Sequence, residues 1–388
     1  MTFISMSQNT MKRECSMSSK TILLMAVVIT MLATLLTGFS AALAEKNDLA
    51  LAYADQYIDL HLHLDGAITV PIAKQLAEIQ GFQLPTDSDE ELEKYLTVPP
   101  DCKSLNDFLR CFEIPGYLLQ TPVGLREAVR LVADNMKSQG VVYAEIRFAP
   151  QFHTKDGMTQ EEAIQAALEG LKETELKANL ILCCMRGDGN DAQNEETIEL
   201  AAKYLVEDGG VVAVDLAGAE ALYPTENYRE LFAKARELGI PFVIHAGEAA
   251  GAESVRYAIE FGAKRIGHGV RIFEDPEVVA LVKEKGVTLE MCPTSNAQTR
   301  VIDDMSEYPL MKYLDDGIKV TLNTDDMGIE GTTLANEFRI MEEYFNLSPE
   351  QERILLTNAV EAAFTTDAVK NQLREILCLD MVVQSDRK

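Results

Sequence analysis

Short apolar or β-branched runs alternate with amphipathic stretches along the chain from residue 57 onward. Eight such runs occur, at residues 57–64, 141–148, 179–186, 211–218, 241–248, 264–269, 287–293 and 319–326. The stretches between them, such as 159–179 and 194–208, have the apolar spacing of a helix packed on a sheet. Eight strand–helix alternations are typical of a parallel barrel. The sequence therefore predicts an α/β protein with the (β/α)8 TIM-type fold.

The connection between the first two predicted strands is unusually long. It covers residues 65–140, and a structureless loop of that length is uncommon in a compact domain. Because it contains helical patterns, including residues 103–112, we expect extra helices that cover one end of the barrel as a lid. Near the C-terminus, residues 348–351 combine an N-cap Ser, a Pro and a Gln, which predicts a terminal helix. No repeat or low-complexity linker divides residues 45–388, which we interpret as one domain.

Residues 1–44 have the pattern of a signal peptide. Three basic residues precede the uncharged run 21–44, which ends in Ala-Leu-Ala before Glu45, as at a signal-peptide cleavage site. The run also approaches the length of a membrane span, so an uncleaved N-terminal anchor is the alternative. We predict an exported protein, periplasmic or secreted, with no stable membrane insertion after cleavage.

Charge and cysteine content narrow the possible partners. The chain has 35 Lys and Arg residues against 62 Asp and Glu residues, a net charge of −27. Such a chain repels phosphates, so we expect a small neutral or cationic ligand and no nucleic acid partner. The six cysteines after the leader lack C-x-x-C spacing, which argues against a thiolate zinc site and leaves any disulfide pairing open. The oligomeric state is also left open.

Polar residues end several of the predicted strands, where the active site of such a barrel lies. His61 and His63 are on the first strand, and both point to the barrel axis because side chains alternate along a strand. His245 ends the fifth strand and Asp325 follows the eighth. Three imidazoles and one carboxylate suit Zn²⁺, with Fe²⁺ or another divalent ion as the alternative. We predict one Zn²⁺ per chain and a hydrolytic site.

Three further residues are candidate catalytic groups. Glu248 lies just past the fifth strand, where a carboxyl can carry protons to and from a substrate; the alternative is a Glu favoured by a helix N-terminus. His268, flanked by glycines, is predicted to hold the attacking hydroxide and to stabilise the developing charge. Asp326 is predicted to orient that hydroxide, and the alternative for the acidic pair 325–326 is a helix N-cap.

These stretches together resemble the metal-dependent adenosine deaminase family. The matching motifs are HLHLDGA at 61–67, DLAG at 215–218, HAGE at 245–248, RIGHG at 265–269, MCPTSN at 291–296 and LNTDD at 322–326. They occur in order across almost the whole chain after the leader, and the ordered set is highly specific. The resemblance implies a zinc-containing (β/α)8 barrel that hydrolyses the 6-amino group of adenosine or 2′-deoxyadenosine, yielding inosine or deoxyinosine and ammonia.

The resemblance also implies roles for individual residues. The implied zinc ligands are His61, His63, His245 and Asp325. Glu248 resembles the group that protonates purine N1, and His268 and Asp326 resemble the residues that orient and activate the hydroxide. The backbone of Gly218 resembles the contact to purine N3, and Asp65 the contact to the ribose 5′-hydroxyl. The implied apolar lid, whose spacing equally describes an ordinary amphipathic helix, consists of Leu105, Phe108, Leu109 and Phe112.

Two alternative functions are left open by the sequence. The first is a deaminase of adenine or of a modified adenine nucleoside. Asp65 favours a nucleoside, because adenine deaminases of the same superfamily commonly have Glu after HLHI or HLHL. The second alternative is a catalytically weak extracellular nucleoside-binding protein, in which Glu248 would have no proton to carry.

Overall fold

The computed structural model describes residues 56–99 and 110–380, and the predicted leader lies outside them. The described strands are β1 (Tyr57–His63), β2 (Val141–Phe148), β3 (Lys177–Met185), β4 (Val211–Ala217), β5 (Val243–Ala246), β6 (Arg265–His268), β7 (Thr288–Met291) and β8 (Lys319–Leu322). Parallel pairing joins β1 to β4 in order and β5 to β8 in order. Parallel bridges Val214–Phe242 and Leu62–Asp325 connect the two groups. The strands therefore close into the predicted (β/α)8 barrel.

Helices surround this barrel. The described α-helices are Val70–Gln80, Asp89–Leu96, Glu113–Leu118, Pro122–Ser138, Gln160–Lys172, Asp191–Tyr204, Arg229–Glu237, Ala252–Phe261, Pro276–Lys285, Pro293–Gln298, Leu310–Asp315, Leu334–Phe345, Pro349–Ala362 and Asp367–Ile376. Short 3₁₀ helices occur at Pro150–His153, Thr225–Tyr228, Val270–Glu274 and Met305–Glu307. Within the described ranges, no helix has the length and apolar character needed to span a membrane.

The predicted extra helices between the first two strands are present. In the described parts of residues 70–118, three helices precede the helix Pro122–Ser138 that leads into β2. Of the predicted helical pattern 103–112, only residues 110–112 belong to the described part of the chain. The predicted lid residues Leu105, Phe108 and Leu109 therefore lie outside it.

Helix boundaries follow from capping, with one correction to the sequence prediction. Ser348 and Gln351 form a reciprocal capping box that starts the predicted terminal helix, with a Pro at its first position. The helix predicted over residues 159–179 is shorter in the structure: it ends at Lys172, and the chain from Lys177 belongs to β3. Lys177 pairs with Tyr143 of β2, and this strand pairing overrides the local helical spacing.

The last four strands are shorter than their predicted runs. Left-handed residues lie at the C-terminal ends of β5 and β6 and three residues after β8, whereas β7 leads into the helix that begins at Pro293. Gly247, His268, Gly269 and Asp325 have φ values of 72°, 63°, 66° and 64°. Glycine adopts this conformation readily, whereas a non-glycine residue there costs about 1–3 kcal/mol and is held by its surroundings. The two strained residues, His268 and Asp325, thus stand at the C-terminal end of the barrel.

The barrel interior is polar as well as apolar. Glu145, Arg265 and Glu290 are fully or almost fully buried. Arg265 Nη2 lies 2.6 Å from Glu145 Oε2, and Arg265 Nε bonds to Glu290. Phe364, from the C-terminal segment, places its ring 4.0 Å from the Arg265 guanidinium and donates its N–H to Glu145. These paired charges fill the barrel below the site, where unpaired charges would be costly.

Candidate active site

Four side chains meet at the C-terminal end of the barrel. His61 Nε2 and His63 Nε2 lie 3.2 and 3.3 Å from Asp325 Oδ1, and His63 Nε2 lies 3.2 Å from His245 Nε2. His61, His245 and Asp325 are buried, whereas His63 is half-buried. Closure of the barrel produces this cluster, because Asp325 hydrogen bonds to the backbone of β1 at residues 61 and 63.

The donor atoms of the histidines in this cluster suit a cation. His61 Nδ1 lies 2.8 Å from Glu290 and His245 Nδ1 lies 2.9 Å from Asp215, so in the neutral imidazole each Nδ1 carries the proton. Each neutral ring then presents a lone pair at Nε2, and His61 Nε2, which is buried without a hydrogen-bond partner, lies 3.2 Å from Asp325 Oδ1. Tetrahedral zinc bonds of about 2.0–2.1 Å separate ligand atoms by about 3.4 Å. The residues present therefore fit a zinc ion.

The pKa values of the histidines favour the same conclusion. Burial lowers the pKa of His63 well below its usual value and that of His245 to about 4, which keeps both imidazoles in the neutral form that binds metals. Burial also lowers the pKa of His61, but the carboxylates of Asp325 and Glu290 outweigh this and raise it to about 9. Positive charge is thus stabilised between His61 and Asp325.

A buried arginine joins the two carboxylates that orient the histidines. Arg147 Nη1 lies 2.7 Å from Asp215, and its Nη2 lies 2.8 Å from Glu290 and 2.6 Å from the carbonyl of Leu60. Burial would raise the pKa of both carboxyls, but positive neighbours outweigh it and hold the pKa of each well below its usual range. These neighbours are His245 and Arg147 for Asp215, and Arg265 and Arg147 for Glu290. Both carboxylates stay charged and keep the Nε2 atoms directed at the cation site.

Sequence reasoning did not assign roles to Glu290 and Arg147, and it included Asp215 only as part of the motif DLAG at 215–218. The signal was present in the sequence, because each stands inside an apolar run of a strand that is buried on both faces. A charged residue at such a position must have a buried partner. The identity of that partner depends on which strands are neighbours across the barrel.

His268 is held in one orientation by two neighbours. Tyr308 donates its hydroxyl to Asn296 Oδ1 at 2.8 Å, which turns the Asn296 amide nitrogen to His268 Nδ1 at 3.1 Å. His268 therefore accepts at Nδ1 and carries a proton on Nε2, which lies 3.6 Å from Glu248 and 3.7 Å from Asp325 Oδ2. His268 belongs to the buried group whose possible ligand atoms lie close together. It approaches Asp325 Oδ2, whereas His61 and His63 approach Asp325 Oδ1.

Glu248 borders the same space. Its carboxylate is 3.6 Å from His268 Nε2 and 3.4 Å from the Thr299 hydroxyl, and the side chain is 21% exposed. Burial raises its pKa, and the negative charges of Asp325 and Glu220 add to this effect. The helix alternative does not apply, because the next helix begins at residue 252. Glu248 is thus a carboxyl whose affinity for a proton is raised by its surroundings, as suits a group that transfers protons.

Asp326 packs over Gly66, and one of its carboxylate oxygens lies within 4.8 Å of an oxygen of Asp325. A Cβ added to Gly66 would lie 1.7 Å from Asp326 Oδ1, so only glycine leaves room for this carboxylate. Burial raises the pKa of Asp326 well above its usual value, and Asp325 and Asp65 raise it further. The N-cap alternative for 325–326 does not apply either, because the next helix begins at Leu334.

These residues open onto a cavity of about 710 Å³. The predicted substrate residues Asp65, Gly218 and Phe112 line it, together with His63, Glu248, His268 and both aspartates of the 325–326 pair. Burial raises the pKa of Asp65, and Gly218 has a left-handed φ of 99°. Apolar wall residues that sequence reasoning did not identify are Phe152, Cys183, Met185, Leu222 and Val301.

Comparison with known proteins identifies the family. The family model described as adenosine deaminase matches residues 57–378. The adenosine deaminase of Haemophilus ducreyi is 48% identical over 322 residues, covering 81% of this chain and 94% of that protein. The adenosine deaminase of Clostridium perfringens is 40% identical over 82% of this chain and 96% of its own length.

Among solved structures, an adenine deaminase from Arthrobacter aurescens superimposes with a TM-score of 0.75 at 28% identity, covering 84% of this chain and 98% of that one. The sequence match spans the barrel and every motif that contributes to the cluster. The chain belongs to the adenosine deaminase family.

Proposed function

We propose that the protein hydrolyses adenosine and 2′-deoxyadenosine to inosine and deoxyinosine, with release of ammonia, and uses one zinc ion per chain. The observation that carries this proposal is the meeting of four ligand atoms, the Glu248 carboxyl and an oriented His268 on one cavity. The names of the two relatives support the substrate, because both are adenosine deaminases and the chain covers nearly their whole length.

In this proposal His61, His63, His245 and Asp325 would hold the zinc ion. When bound there, zinc supplies a Lewis acid that lowers the pKa of water towards about 7. Asp215 and Glu290 would keep the imidazoles directed at the ion through their Nδ1 contacts of 2.9 and 2.8 Å.

Proton transfer is assigned to Glu248. The protonated carboxyl donates to purine N1, which makes C6 more electrophilic as the oxygen of water adds to it. The C6–N6 bond then breaks as the added oxygen becomes the C6 carbonyl. One proton of the water leaves with the amino group as ammonia, and the other restores the proton that Glu248 gave to N1. The raised pKa of Glu248, caused first by its burial, favours the protonated form that this exchange requires.

The other two candidate residues act on the attacking water. Asp326 accepts one of its protons and so directs the oxygen to C6, while the Nε2–H of His268 stabilises the charge that develops on that oxygen. Both roles use the orientation of the side chains, which Gly66 provides for Asp326 and Asn296 provides for His268.

Substrate choice is assigned to Asp65, which lines the cavity and is half-buried. Its carboxylate would accept a hydrogen bond from the ribose 5′-hydroxyl. A free base leaves this acceptor without its partner. A site built to bind a hydroxyl can disfavour a substrate that lacks it by up to about 10⁴–10⁵ in kcat/KM.

The proposal is tested by an ultraviolet assay of purified protein on adenosine, 2′-deoxyadenosine, adenine and AMP, before and after chelation. We expect the two nucleosides to react fastest, activity to be lost on chelation, and zinc to restore it. Fastest turnover of adenine would contradict the substrate assignment, and undiminished activity of metal-free protein would contradict the zinc site. Glu248→Gln should keep its zinc and lose about 10²–10⁴ in kcat, whereas the exposed control Glu237→Gln should match the wild type.

We also propose export, with a role in nucleoside salvage outside the cytoplasm. The support is the leader pattern of residues 1–44. N-terminal sequencing of the protein from fractionated cells should find Glu45 or a nearby residue first, whereas intact Met1 in the cytosol would contradict export. Intact Met1 in the membrane fraction would indicate the anchored form instead.

A further inference from the structure

A buried glutamate outside the predicted site binds the turn that carries Glu248. Glu220, in the connection after β4, is 3% exposed. Its two carboxylate oxygens accept hydrogen bonds from the four consecutive backbone N–H groups of residues 247–250, at 2.7, 3.1, 2.7 and 2.9 Å. The hydroxyl of Ser254 donates to the same carboxylate. Five donors thus converge on one side chain.

These hydrogen bonds replace the secondary structure that the turn lacks. Residues 247–250 lie between β5 and the helix Ala252–Phe261, so their N–H groups belong to neither a strand nor the helix. A charged carboxylate makes stronger hydrogen bonds than a neutral acceptor, and four neighbouring N–H groups must share it. The turn is also tight, because a Cβ at Gly247 would lie 2.7 Å from Val255.

The connection that contains Glu220 is itself anchored to β5. Arg186 is buried and donates to the carbonyl of Tyr223, to the hydroxyl of Thr225 and to the carbonyl of His245, at 2.7, 2.9 and 2.7 Å. The hydroxyl of Thr225 lies 2.7 Å from that of Ser254. The connection that contains Glu220 is therefore held in place by hydrogen bonds, and Glu220 in turn holds the backbone of residues 247–250.

We infer that Glu220 is a positioning residue for Glu248: its carboxylate fixes the backbone of residues 247–250 and thereby aims the side chain that exchanges a proton with the purine. This inference rests on the proposed function for the reaction itself. Because both oxygens of Glu220 are taken up by donors from the protein, Glu220 acts through the turn and not on the substrate.

Glu220→Gln tests this inference, because glutamine keeps the volume but brings an NH₂ group against backbone donors. The matched control is Glu230→Gln, an exposed position nearby in the chain. Hydrogen exchange of residues 247–250, measured by mass spectrometry on zinc-loaded protein without nucleoside, should be at least about tenfold faster in Glu220→Gln only. We expect kcat to fall by about 100-fold, as for a misplaced catalytic group, while KM changes less than about threefold and zinc content stays at one per chain.

The outcomes separate positioning from a general loss of structure. Wild-type exchange at 247–250 together with wild-type kcat would overturn the inference, and so would a loss of activity explained by lost zinc. If Glu220→Gln does not fold, Ser254→Ala removes a single donor to the carboxylate and should produce the same local exchange with a smaller fall in kcat; no change in either would overturn the inference. If the wild type does not deaminate adenosine, the proposed function fails, but the exchange measurement still decides whether Glu220 holds the turn.

Discussion

Asp215→Asn tests whether the carboxylates behind the histidines determine zinc affinity. Asp215 is fully buried and lies between Arg147 Nη1 at 2.7 Å and His245 Nδ1 at 2.9 Å. Both of these donors contact Oδ2, and Oδ1 accepts from the N–H of Leu216. The amide of asparagine has the same shape but only one acceptor oxygen, so its NH₂ group must face either these two donors or the Leu216 N–H. His245 then loses either its partner or the charge that favours its metal-binding tautomer.

The expected magnitude follows from these contacts. Loss of such an orienting partner typically lowers metal affinity by 10- to 100-fold, or about 1.4–2.7 kcal/mol. Leaving a buried charge without its partner costs about 3–5 kcal/mol, but Arg147 keeps its 2.8 Å contact with Glu290. The loss in free energy of unfolding of the zinc-free protein should therefore stay below that range.

The measurement is a competition titration of zinc-free protein with a chelator of known affinity, combined with urea unfolding in excess chelator. Neither readout needs catalysis. Asp316→Asn, at an exposed position, is the control and should match the wild type in both. A folded Asp215→Asn protein whose zinc affinity stays within about twofold of wild type would refute the argument that this carboxylate orients His245.

Three further predictions concern other buried residues. Gly66→Ala places a methyl group 1.7 Å from Asp326 and should lower kcat by about 100-fold with zinc retained; wild-type kcat would refute the packing argument. Tyr308→Phe removes the hydroxyl that orients Asn296 and should lower kcat about tenfold, with the Nε2-protonated tautomer of His268 less populated in ¹⁵N NMR spectra. Burial raises the pKa of Glu337 to about 7, so the folded state keeps a proton that the unfolded state loses above about pH 4.5. Stability should fall between about pH 4.5 and 7, by at most about 3 kcal/mol, and Glu337→Gln should flatten this decline in urea titrations at several pH values.

The four residues that meet in the cluster could be predicted as a group because each is marked by local sequence. The spacing of His61 and His63 places both on one face of β1, and His245 and Asp325 follow apolar runs whose C-terminal ends meet at one end of the barrel. No long-range contact is needed for that prediction, only strand alternation and the direction of parallel strands. The family motifs added the order of these residues along the chain.

The residues that support the site could not be predicted in the same way. Arg147 forms ion pairs with Asp215 and Glu290, and the three residues lie on three different strands. Glu220 accepts hydrogen bonds from N–H groups that lie 27 to 30 positions later in the chain. A charged residue in an apolar run signals that a partner exists, but the partner depends on the closed barrel. For Glu220, in a connection, even that signal is missing, since a loop carboxylate is ordinarily solvated.

Strain at Asp325 links the fold to the chemistry. Asp325 closes the barrel, with its N–H bonded to the carbonyl of His61 and its carbonyl bonded to the N–H of His63, at 2.8 and 2.9 Å. It does so with φ at 64°, a conformation that costs about 1–3 kcal/mol for a residue with a side chain. The same conformation directs its carboxylate at the two histidines whose backbone it holds. A shift of the seam between β8 and β1 would therefore move three of the four proposed zinc ligands, His61, His63 and Asp325, together.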